Sequence, residues 1–63
     1  MYSFNFVLKK TSSAEYTIFS EKGYVMHILT RCNGPEDAMS AAKAWASSWN
    51  SSNVEMEKDE NDS

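Results

Sequence analysis

The segment that most constrains what this chain can fold into is Asn33 to Trp49. Asn33-Gly34-Pro35-Glu36-Asp37 reads as a helix entry. A capping position comes first, then proline where its missing N–H costs nothing, then two acids against the positive end of the helix dipole. Beyond it Ala38, Ala41, Ala42, Trp45 and Trp49 recur at helical spacing. That pattern predicts a helix from about Pro35 to Trp49 or Asn50 with one buried stripe. The stripe is small at its start and carries two indoles at its end, a shape that lies close on a sheet.

The preceding residues supply the sheet. Tyr2, Phe4, Phe6 and Leu8 alternate with Ser3, Asn5, Val7 and Lys9, the period of a strand with one strongly buried face. Lys10 to Ala14 reads as a polar connection. Glu15 to Ser20 is rich in strand formers, with Tyr16 and Ile18 on one side and Thr17 and Phe19 on the other. Glu21-Lys22-Gly23 is a turn with Gly23 placed for a positive φ. Tyr24 to Arg31 makes the third strand, Tyr24, Met26 and Ile28 on one side, Val25, His27, Leu29 and Arg31 on the other. After the helix, Val54 to Glu57 alternates weakly and can add a short fourth strand at a sheet edge. The expected fold class is α+β: a three-stranded antiparallel meander with a helix packed on its aromatic face, β-β-β-α. Residues 1–57 form one domain, and 58–63, which hold no apolar residue, form a disordered acidic tail.

Size and composition narrow the functions. Sixty-three residues are near the lower limit for a self-sufficient core. The single cysteine, Cys32, allows no internal disulfide, and with one histidine it cannot build a structural zinc site unaided. The expected compartment is the cytoplasm, since no secretory leader or membrane span is legible. The net charge of −3 is unevenly placed: residues 55–63 carry −4, and residues 1–54 carry +1.

Candidate chemistry is sparse. His27 has no nucleophile or orienting carboxylate set beside it by any motif. Cys32 precedes the helix but has no second cysteine nearby. Gly23 and Gly34 are the only glycines, too few for a phosphate-binding loop. Glu36 and Asp37 are accounted for as partners of the helix dipole. We therefore expect no catalytic residue, no cofactor and no metal. What remains is the sheet face turned away from the helix, where Val7, Phe19, Val25, His27 and Leu29 are expected to form a partner-binding patch. The expected function is a non-enzymatic protein-interaction module, with a homodimer formed through that face or a free strand edge. Alternatives are a nucleic-acid-associated module using the same face, which lacks a strong basic stripe, and a small enzyme or enzyme subunit.

The β-β-β-α layout, the Ala/Trp helix and the short acidic end together resemble small proteins of tailed bacteriophages. That resemblance implies a role in binding and redirecting a host protein. It assigns no site residue.

Overall fold

The structure is a computed structural model, and it describes residues 5–49 and 53–57. Strand β1 spans Asn5–Ser12, β2 Glu15–Ser20 and β3 Val25–Leu29; helix α1 spans Pro35–Ser47; strand β4 spans Asn53–Met56. The four strands form one sheet in the order β3-β2-β1-β4. β1 and β2 pair antiparallel, as do β2 and β3. β4 is parallel to β1, with Asn5 opposite Asn53 and Leu8 opposite Met56. The expected meander and helix are present, and the short alternating segment after the helix does join the sheet. Helix α1 carries the chain from one edge of the sheet to the other, lying chiefly over β4 and β1.

Phe6, Leu8, Tyr16, Ile18 and Val54 of the sheet and Ala38, Ala42 and Ala46 of the helix form the core. Leu8 and Ile18, directly opposite each other, are wholly inaccessible to solvent. The three buried alanines are four residues apart, so they line one narrow face that can approach the sheet closely. This corrects the expected stripe: Ala41 lies on the exposed side and Ala46 belongs to the core. Trp49, expected to cover the sheet, remains 41% exposed, beyond the last helical turn. Trp45 is half-buried and gathers the other rings. Its centroid lies 5.1 Å from Phe6, 5.6 Å from His27 and 5.6 Å from Trp49.

The helix start is built by backbone and carboxylate. Gly34 is the N-cap, and its φ of 153° is one that a residue with a Cβ rarely adopts. Pro35 follows at the first helical position. The Asp37 carboxylate accepts the Asn33 N–H at 3.0 Å, closing the entry from within the first turn. At the other end the Trp49 N–H bonds the Ala46 carbonyl at 2.9 Å, the tighter turn with which helices often finish. Gly23 has φ 94° in the turn between β2 and β3, where the Ser20 carbonyl accepts its N–H at 3.0 Å.

Helix α1 stops at Ser47, short of the expected Trp49 or Asn50, β4 lies one residue earlier than expected, and β1 and β3 differ more. Lys10, Thr11 and Ser12 extend β1, leaving only Ser13 and Ala14 in the turn. Nothing apolar marks that extension. It is held by the ladder, in which Lys10 faces Tyr16 and Ser12 faces Glu15, and by the Thr11 and Thr17 hydroxyls, 2.9 Å apart. The third strand is shorter than expected and stops at Leu29. Arg31 then turns left-handed at φ 60°, and the Cys32 N–H is fixed on the Ala14 carbonyl at 2.9 Å. Tyr2 and Phe4, expected in the first strand, and the expected acidic tail over 58–63 lie outside the described residues.

Candidate interaction surface

A bulge in β3 decides which side chains are left over. Ile18 pairs with His27, but its neighbour Phe19 pairs with Val25, so Met26 is an extra residue on β3. Directly opposed residues share a face of the sheet. His27 therefore joins Ile18, and Leu29 joins Tyr16, on the side covered by the helix. Val25 joins Phe19 and Ile28 joins Thr17 on the open side.

The expected patch is corrected accordingly. Val7, Phe19 and Val25 do lie on the open face, since Val7 pairs with Phe19 and Phe19 with Val25. Leu29 does not: it packs against the core. His27 does not either: its ring stacks on Trp45 with an interplanar angle of 12°. Ile28, assigned to the core by simple alternation, takes the open face and is 51% exposed. One inserted residue reverses the period of two for everything beyond it, which is why alternation alone misplaced all three. Met26 keeps its expected place on the core side, where it is half-buried. Tyr24, expected beside it, is 68% exposed at the hairpin tip.

The open face is graded across the sheet. Towards β3 it is apolar, with Phe19, Val25 and Ile28 around the buried Thr17. Towards β4 it becomes charged. Glu55 lies opposite Val7, and Lys9 makes an ion pair with Glu57 at 3.5 Å. The same ammonium sits 5.4 Å from the centre of the Phe19 ring, so its stem and charge border the apolar part.

The other candidate residues are occupied structurally or stand apart. Asp37 is engaged at the helix entry and Cys32 is half-buried as a free thiol against the core. Among the described residues no group of three His, Cys, Asp or Glu is arranged to hold a metal ion, and no helix is long and apolar enough to cross a membrane. On the helix side, a groove of about 360 Å³ opens between Phe6, Tyr24, Met26 and Trp49. No signal in the sequence marks it, because its walls come from β1, the β2–β3 turn, β3 and the residues after α1. No protein-family model, curated protein or solved structure matches this chain.

Proposed function

We propose that this chain is a non-enzymatic protein-interaction module that binds its partner with the open face of the sheet. The observation that carries this reading is the exposure of Val25 and Ile28, at 58% and 51%, beside Phe19 on one face of adjacent strands. Contiguous apolar side chains left in water on so small a domain are the mark of a surface made for another molecule. The complementary partner is a protein with an apolar centre to meet Phe19, Val25 and Ile28 and a basic rim to meet Glu55. The layout's resemblance to small phage proteins supports a host protein met in the cytoplasm as that partner.

The charge distribution favours a protein over a nucleic acid. Phosphate binding requires free cations along a face. Here Lys9 is paired with Glu57, and Glu55 stands on the neighbouring strand.

The test is capture by the immobilised chain from a lysate of the source organism, or of its host. Phe19→Asp should reduce the retained partner at least about tenfold, since it places a charge in the apolar centre of the contact. Lys43→Ser, on the exposed face of the helix, should leave capture unchanged. Equal capture by wild type and a folded Phe19→Asp variant would contradict the reading.

A further inference from the structure

The two edges of the sheet are built differently. β4 is four residues long, carries Glu55 and runs directly into Glu57. Acids on a short edge strand guard it against pairing with another chain. β3 has no such guard. Val25-Met26-His27-Ile28-Leu29 contains no Lys, Arg, Asp, Glu or Pro, and among the described residues its only strand neighbour is β2. An edge strand turns outward those N–H and C=O groups that do not face its one neighbour. Both of its open-face side chains, Val25 and Ile28, are more than half exposed.

We propose that two copies of this chain pair antiparallel along β3, about a two-fold axis at Ile28, to form one continuous eight-stranded sheet. Charge and closure select a second copy as the occupant. An uncharged edge meets its own copy without repulsion, whereas pairing β4 with β4 would set Glu55 and Glu57 of both copies together. Pairing β3 with β4 of another copy would be head-to-tail and would not close, and it would set Glu55 beside the apolar Val25 and Ile28. Only the β3–β3 arrangement is closed and sets no like charges side by side.

The bulge selects the register. Paired residues must lie on the same face. With Ile28 opposite Ile28 of the second copy, His27 faces Leu29 of the second copy, and both belong to the helix side. Centring on His27 instead would set Val25, on the open side, against Leu29, on the helix side. A two-fold axis perpendicular to the sheet also keeps both helices on one side. The two open faces then merge into one apolar strip of double length. This proposal concerns the edge of β3 and is independent of which protein the open face captures.

Analytical ultracentrifugation of the full chain tests it. The weight-average mass should rise towards that of a dimer, and no further, between about 10 μM and 1 mM. Ile28→Lys sets two ammonium groups opposite each other at the axis and should weaken dimerisation about tenfold or more. Glu55→Gln, on the other edge, should leave it unchanged. If Ile28→Lys does not fold, amide hydrogen exchange of the wild type decides. Exchange within residues 27–29 should slow at the higher concentration, while that in β4 should not. Monomer mass at 1 mM, growth beyond a dimer, a folded Ile28→Lys that associates like wild type, or exchange in 27–29 independent of concentration would each overturn the proposal. A monomeric wild type whose capture still depends on Phe19 would reject the paired edge and leave the interaction reading standing.

Discussion

Replacing Ile18 with alanine is expected to lower the unfolding free energy by about 2–5 kcal/mol, the range for truncating a fully buried aliphatic side chain. Ile18 is wholly buried in β2, between Leu8 on β1 and His27 on β3. Its removal takes contacts from both neighbouring strands at once. A domain of 63 residues has a total stability of only about 3–9 kcal/mol at the usual per-residue values. The variant should therefore be partly or wholly unfolded at 25 °C. Urea titration followed by far-UV circular dichroism measures the loss. A loss below about 1 kcal/mol would mean that β2 is not the centre of the core.

Trp45→Ala is expected to cost about 3 kcal/mol, near the lower end of the range for truncating a large aromatic, because the indole is only half-buried. Its effect comes from position. Trp45 touches Phe6 edge-on, stacks on His27 and leans on Trp49. It thus joins β1, β3 and the end of the helix, which the small alanines leave thinly covered. Aromatic pairs of this kind add about 0.5–1.5 kcal/mol beyond area burial. Trp45→Phe should recover most of the loss. Thermal melts that superimpose for wild type and Trp45→Ala would remove the indole from the core.

The parts of the fold legible in the sequence are those that a single local pattern determines. Pro35, Glu36 and Asp37 give the helix start, and the alternation of Phe6 and Leu8 gives the buried side of β1. Glu21 to Gly23 gives the turn, since few residues other than glycine tolerate a φ near 94°. The illegible parts depend on partners distant in the chain. Thr11 and Ser12 are polar, and only the pairing with β2 holds them in a strand. The choice of Ala46 over Ala41 depends on how the helix is rotated against β1 and β4, because alanine gives no hydrophobic contrast along the helix. Above all, nothing in Tyr24 to Leu29 announces that Met26 is an extra residue. The bulge is a property of the β2–β3 pair, and it exchanged the faces of His27, Ile28 and Leu29. The open face was visible in outline through Val7, Phe19 and Val25. Its strongest exposed neighbour, Ile28, was hidden by the bulge.

The bulge sends Ile28 to the open face and His27 towards the helix, and both the interaction surface and the pairing edge follow from it. Proton–proton Overhauser contacts in the full chain test it directly. Contacts are expected between the His27 ring and the Trp45 indole, whose centroids are 5.6 Å apart, and between the side chains of Tyr16 and Leu29. None is expected between the Ile28 methyl groups and helix α1. Contacts from Ile28 to Trp45 or Ala42, with His27 showing none to the helix, would contradict it.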